Sequence, residues 1–308
     1  MKEYKVRRRA AMLKQYLNDF MERFEYLEED RIAIREAFDV LENSGEGYQE
    51  FLRYLKMYDE NMNCDFTEMR NRMIETFQKI GLHEYTGLLI LFICLSKTLK
   101  RYYAEAGYSE EIWFTSMSDL KWKLDECKEV KGVVGTFVPE WYPRFFSLRR
   151  FGFGKLQFEI EPFKREYDKN GVSLSPDSRV LNVHIPRTGT KLDRESMNAS
   201  YKMGAEFYSE KFGLDPIVFV CHSWLLFPRN KEVLSPKSNL YAFISDFDII
   251  EEELYDDYSQ VWRLFDVDYD GNVDHLPQNT SFRCAYADWI RKGEKTGCGY
   301  GVYVYKGE

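Results

Sequence analysis

Between residues 178 and 224 this chain gathers the side chains best suited to chemistry. A strand expected over 180–185 carries His184 near its end. The loop after it reads Pro186-Arg187-Thr188-Gly189-Thr190-Lys191 and turns into a helix expected over 193–212, with Asp193 as its cap. A helix start offers unpaired backbone N–H groups and the positive end of the dipole, which suits an anion such as a diphosphate. Gly189 lets the backbone come close to a ligand, and Arg187 and Lys191 add charge. An ordinary strand–helix connection with a glycine turn has the same composition.

A second strand, expected over 217–221, ends in Cys221-His222-Ser223-Trp224. In a βαβ unit both strands end at one edge of the sheet, where ligands bind, so His184 and His222 are expected to share one mouth. Imidazole is the natural general base near neutral pH. The alternative for each is a buried histidine with satisfied hydrogen bonds. Glu159, on a strand alternating over 156–161, is a candidate to orient such a base or to act as one; solvent-facing strand polarity is the other reading. Cys221 is either a core thiol or a nucleophile. As a nucleophile it would pair better with His184 than with His222, because adjacent strand residues point to opposite faces.

Two kinds of element are needed to hold these groups. Residues 1–115 read as helical: Met12, Leu13, Tyr16, Leu17 and Phe20 recur at helical spacing, and Asp65 precedes a helix closed by Gly81. After about residue 150 strands and helices alternate, with further strands expected over 240–244, 260–265 and 301–305 and a helix over 280–291. The expected fold is therefore α+β, a helical bundle over 1–115 followed by a mixed-sheet α/β domain over 116–308. A length of 308 residues fits two domains.

Composition narrows the function classes. A net charge of −8 opposes general nucleic-acid binding. The apolar run over 87–95 is about half of the ~20 residues that span a bilayer, and the basic start lacks the pattern of a signal peptide. Six cysteines without CxxC spacing suit reduced thiols, hence a cytoplasmic protein.

Two motifs are read as decoys. Arg149-Arg-Phe-Gly152-Phe-Gly154 matches a phosphate-loop pattern but precedes a strand and does not open a helix. The loop over 266–274 has Ca²⁺-loop aspartates at 266, 268 and 270 but Pro277 where a bidentate Glu is needed, so an acidic turn is expected and no metal. His83-Glu84 lacks the second histidine of a zinc-protease motif.

Leu156-Gln-Phe-Glu159, His184-Ile-Pro186, Cys221-His-Ser-Trp-Leu-Leu226, Pro236-Lys-Ser-Asn239 and Leu276-Pro277 with Thr280 occur in that order. Together they resemble a bacterial family that pairs a helical N-acyltransferase N-terminal domain with a GNAT-like C-terminal domain. The resemblance covers most of 120–305 by motif and the first 115 residues by helical character. It implies acyl-CoA, acetyl or longer, as co-substrate, with its diphosphate on Arg187, Thr188, Gly189, Thr190 and Lys191. The superfamily pattern Gln/Arg-x-x-Gly-x-Gly/Ala is shortened here to a loop with one glycine. The implied reaction is N-acyl transfer to an unidentified amine by direct attack, with Glu159, His184 or His222 as base. A covalent route through Cys221 is a rival, and a catalytically inactive GNAT-like scaffold is the non-enzymatic alternative. The acceptor would be a small-molecule amine or a peptide; no nucleic-acid or membrane partner is expected, and the oligomeric state is open.

Overall fold

Local signals set most helix ends. The Asp65 side chain accepts from the Glu68 amide at 2.9 Å and starts one helix, and the Ser109 hydroxyl accepts from the Ile112 amide at 3.3 Å and starts another. In the computed structural model, which describes residues 2–307 and side chains from residue 8, six long helices occupy the stretch 2–131. They are α1 (Lys2–Arg23), α2 (Glu28–Glu42), α3 (Glu46–Glu60), α4 (Phe66–Lys79), α5 (Glu84–Glu105) and α6 (Glu110–Lys131). The apolar run lies in α5, whose residues 86–96 are all buried, and α1, α2, α3, α4 and α6 all pack against it. That burial explains the run: α5 is hydrophobic all round because it is surrounded on all sides. Among the described residues no helix is long and apolar enough to cross a membrane. A short helix, α7 (Pro143–Phe146), follows, and Tyr58 donates to the Phe146 carbonyl at 2.8 Å.

The chain divides into two compact units after Arg149. The division expected after residue 115 falls inside α6, which continues to Lys131 and stops at Gly132 in the left-handed region.

The second unit is built on a six-stranded sheet. Its elements are β1 (Arg150–Phe153), β2 (Leu156–Pro162), a small hairpin β3 (Tyr167–Lys169) and β4 (Val172–Leu174), β5 (Arg179–His184), α8 (Arg194–Phe212) and β6 (Val218–Ser223). Then come α9 (Asn230–Val233), α10 (Asn239–Ser245), β7 (Asp248–Leu254), α11 (Trp262–Phe265), α12 (Ser281–Arg291) and β8 (Gly297–Val304). The strand order is β1-β2-β5-β6-β8-β7; β5 and β6 run parallel and every other pair in it is antiparallel. Helix α8 is the crossover between the parallel pair. It covers one face, where Tyr201 lies 4.8 Å from Phe219 and Tyr208 donates to the Phe158 carbonyl. The opposite face carries a second apolar layer that includes Phe163, Val180, Val218, Val220 and Val302.

Two expected strands are helices. Residues 240–244 lie in α10, where Ser238 accepts from the Tyr241 amide and Phe243 and Ile244 fill the core. Residues 260–265 hold α11, with Val261 and Phe265 buried four apart as one helical face requires. Short apolar runs fit either period, and in both cases tertiary packing decided. Strand β7 was not expected. Its Glu251-Glu252-Glu253 run hides the alternation, since an edge strand exposes most of its length.

Candidate active site

The parallel pair β5 and β6 shares only two rungs, Leu181 with Phe219 and Asn182 with Val220. Both strands continue past them. Val183 and His184 stay paired to β2, and Cys221, His222 and Ser223 stay paired to β8. Held by their outer neighbours, the two strands have no rungs with each other beyond Asn182 and Val220 among the described residues. This register implies a wedge of backbone between their carboxyl ends. Ligands gather at this end of parallel strands.

Beside the wedge lies a charged cluster on the face away from α8. Strand register places Arg150 opposite Glu159, and Gln157 opposite His184. The Glu159 carboxylate accepts from Arg150 at 2.8 Å and lies 2.6 Å from His184 Nε2. Glu159 and Arg150 are sealed, at 2% and 5% side-chain exposure, whereas His184 keeps 17%. Burial alone would raise the Glu159 carboxyl, but the hydrogen bond to His184 and the Arg150 charge outweigh it and hold the group at about 2. Glu159 is therefore ionised at neutral pH and too weak a base to take an amine proton. It lies within hydrogen-bond distance of the imidazole from its buried side, and His184 is the most exposed member of the cluster. Of the two readings of Glu159, solvent-facing polarity is excluded by its burial. Sequence reasoning missed Arg150; only the β1–β2 register, with its turn after Phe153, brings it to Glu159.

The expected phosphate loop has its own order. Gly189 adopts φ +72°, and a Cβ there would meet nothing within 4 Å. The hydroxyls of Thr188 and Thr190 lie 3.0 Å apart, and Lys155, from the β1–β2 turn, donates to Thr188 at 3.1 Å. Desolvation lowers the Lys155 ammonium below its ordinary value. Lys191 is exposed. Arg187 pairs with Asp266 at 2.9 Å, and Arg283 binds the same carboxylate. The start of α8 is capped from within: Asp193 accepts from the Ser196 amide at 2.9 Å, and those bonds lower its carboxyl. The expected cap at Asp193 is present, so an anion on this helix end would meet a carboxylate at the positive end of the dipole. Cationic groups suited to a diphosphate stand on the loop and on Lys155.

His222 belongs to a different cluster from His184. Its Nε2 lies 3.0 Å from Cys298 Sγ and 3.6 Å from Glu253 Oε2. Cys221 is fully buried on the α8 face, next to Tyr201, and burial pushes its thiol far up. Strand parity puts His184 and His222 on the opposite face, so the nucleophile role considered for Cys221 is corrected to a core thiol. Phe227, just after β6, is core, packed against Trp289. The Ca²⁺-like loop is closed on itself. Asp266 holds two arginines, Asp270 binds His275 at 2.7 Å, and Asn272 accepts from the Asp274 amide. His83 caps α5 by accepting from the Tyr85 amide.

Known proteins share this architecture. A crystal structure of an acyltransferase in complex with decanoyl-CoA and teicoplanin aligns at 18% identity and TM-score 0.69, covering 94% of this chain and 87% of that one. An acyltransferase mutant in complex with octanoyl-CoA aligns at 17% identity and TM-score 0.70, covering 95% of this chain and 88% of that one. At this identity the likeness establishes the fold. No curated protein matches the chain. Residues 15–148 match the N-acyltransferase N-terminal domain, and residues 150–303, half of the chain, match the GNAT-like C-terminal domain. The chain belongs to the family that joins these two domains.

Proposed function

We propose that this protein transfers an acyl group from an acyl-CoA to an amine by direct attack. The observation that carries the reading is the wedge between β5 and β6, which opens beside the buried Arg150–Glu159–His184 cluster. The thioester would enter the wedge, where backbone N–H groups polarise its carbonyl. His184 accepts a proton from the amine as nitrogen attacks the carbonyl carbon. Glu159 holds the ring and offsets its charge. The carbon–sulfur bond then breaks, and the imidazolium returns the proton to the departing thiolate. Lys155, Lys191, Thr188 and the backbone at Gly189 would hold the diphosphate. Cys221 takes no part.

The aligned acyltransferases carry decanoyl-CoA or octanoyl-CoA, so medium-chain donors are the first to test, beside acetyl-CoA. One of them holds teicoplanin, which is in keeping with an acceptor amine on a small molecule or peptide. Six free cysteines support a reducing compartment, the cytoplasm. Calorimetry with acetyl-, octanoyl- and decanoyl-CoA tests the reading. We expect binding by the wild type and a loss of at least about tenfold when Lys155→Ala removes a charge-assisted contact. No binding of any donor would overturn it.

A specific observation favours a second reading. Asp193 at the start of α8 and Asp266 on Arg187 put negative charge where a diphosphate would lie. If both repel it, the protein is a GNAT-shaped binding module, with the helical unit supplying the partner surface. The same calorimetry separates the two.

A further inference from the structure

Toward the β7 edge of the sheet, on the same face as His184, three neighbouring strands bring a soft metal-ligand set together. His222 is on β6, Cys298 on β8 and Glu253 on β7; Glu253 stands directly opposite Cys298, and His222 lies diagonal to it, opposite Tyr300. The three candidate donor atoms all lie within 4.8 Å of one another. Cys298 Sγ is 3.0 Å from His222 Nε2 and 3.6 Å from Glu253 Oε2, and His222 Nε2 is 3.6 Å from that same oxygen. A tetrahedral zinc with Zn–S near 2.3 Å and Zn–N and Zn–O near 2.05 Å requires ligand–ligand spacings of about 3.3–3.6 Å. The two spacings to Glu253 meet it within a few tenths of an ångström, and the Cys298–His222 spacing needs to widen by about half an ångström.

A Cys–His–Glu catalytic relay would look different. There the carboxylate binds the imidazole nitrogen that faces away from the thiol. Here thiol and carboxylate both approach Nε2, so three donor atoms converge on one point, as ligands around a cation do.

The thiol is held in place. Cys298 lies between Gly297 and Gly299. A Cβ at Gly297 would sit 2.2 Å from the Glu253 carbonyl oxygen, and one at Gly299 2.2 Å from the Leu226 carbonyl oxygen. Backbone therefore packs close on both sides of Cys298, and its position is set before any ion arrives. His222 and Glu253 are exposed and Cys298 is buried, so an ion would be gripped from below and reached from solvent.

We propose that His222, Glu253 and Cys298 form a binding site for a divalent zinc-class ion, with a fourth position for water or a small ligand. A thiolate, an imidazole and a carboxylate together suit zinc and the other N/S-preferring ions better than Mg²⁺ or Ca²⁺. On binding, the Cys298 S–H bond breaks, its proton goes to solvent, and the Zn–S bond forms without change of oxidation state. The site is independent of the acyl-transfer reading. It does assign His222 to the metal and leaves His184 as the base.

The test uses the full chain, stripped with chelator and titrated with Zn²⁺ by calorimetry and with Co²⁺ by absorbance. We expect one equivalent per chain, a thiolate-to-cobalt charge-transfer band, and the intense visible bands of four-coordinate cobalt. Cys298→Ser should abolish the charge-transfer band. His222→Ala and Glu253→Gln, both at exposed positions that the fold does not need, should each weaken Zn²⁺ by at least the ~10–100-fold seen when even an outer partner of a ligand is removed. Cys284→Ser should leave binding intact. No charge-transfer band in the wild type, a band that survives Cys298→Ser, or Zn²⁺ affinity unmoved by both His222→Ala and Glu253→Gln would each overturn the proposal. If Cys298→Ser fails to fold, the two exposed variants decide.

Discussion

Two histidines stand on one face of the sheet, on adjacent parallel strands, and their neighbours give them opposite occupations. His184 meets a sealed carboxylate that is itself tied to Arg150, so its ring is oriented from behind while part of it stays open. His222 meets a thiol and an exposed carboxylate from the β8 and β7 strands, both near its Nε2. The difference teaches that residue type and strand position, which are nearly the same for both, do not set an imidazole's role. The atoms its nitrogens face set it: a buried anion suits the proposed proton carrier, and a soft donor set suits the proposed ligand.

The largest effect should come from breaking this comparison at its centre. His184→Ala removes the proposed general base, and the rate of amine acylation should fall by ~10²–10⁴-fold. The readout is thiol release from decanoyl-CoA in the presence of an amine acceptor, with zinc content measured on the same sample. Activity should collapse while zinc content stays at the wild-type level. Loss of both together would mean that the two clusters are one site, and the contrast drawn above would be wrong.

Stability sharpens the comparison next. Arg150→Met leaves Glu159 buried with its cation gone, and truncating one side of such a pair costs about 3–5 kcal/mol. The pH dependence follows from the same carboxyl. Its folded value, about 2, lies below the ordinary glutamate range near 4.5. The unfolded state therefore binds the proton more readily, and the stabilisation is complete above about pH 4.5. It disappears as pH falls toward 2, a loss of about 3 kcal/mol. Denaturant unfolding at pH 7 and at pH 3 should show about two-thirds of that loss in wild type and a flatter profile in Glu159→Gln. An equal drop in both proteins would assign the acid sensitivity to other carboxyls.

How far the sequence could be read also differs between the two clusters. The cap at Asp65, the alternation over 156–161 and the strand–helix–strand over 180–221 are local signals, and all lie where expected. They carry Glu159, His184 and His222 with them, and they carry the fold class. Arg150 is one hairpin away from Glu159, yet its role depends on a register that no local pattern states. Cys298 and Glu253 are harder still. They meet His222 only through the order β6-β8-β7, in which β7, though earlier in the chain than β8, forms the outer edge. An acidic run such as Glu251–Glu253 reads as a solvated surface because the donor opposite it is 45 residues away. Residues 240–244 failed for another reason: five residues with a short apolar run satisfy the helical and the extended period equally, and only packing against α8 and the turn after β6 separates them.

The smallest effect addresses the carboxylate at the start of α8. Asp193 caps the helix and stands by the loop proposed to hold a diphosphate, so it stabilises the free protein and opposes the anionic ligand. Asp193→Ser keeps a hydroxyl that can accept from the Ser196 amide and removes the charge. The melting temperature should hardly move, since serine is as good a cap. Acyl-CoA should bind about two- to fivefold more tightly at low salt, the size of a charge–dipole contact at a surface, and the gain should shrink as salt screens it. A gain that salt does not touch would mean that Asp193 blocks the ligand by its shape, and a loss would mean that its carboxylate organises the loop. Between those outcomes lies the distinction that matters for His184: the geometry beside the wedge earns the name of an active site only if a nucleotide thioester can settle next to it, and Asp193 is the residue whose charge most directly argues against that.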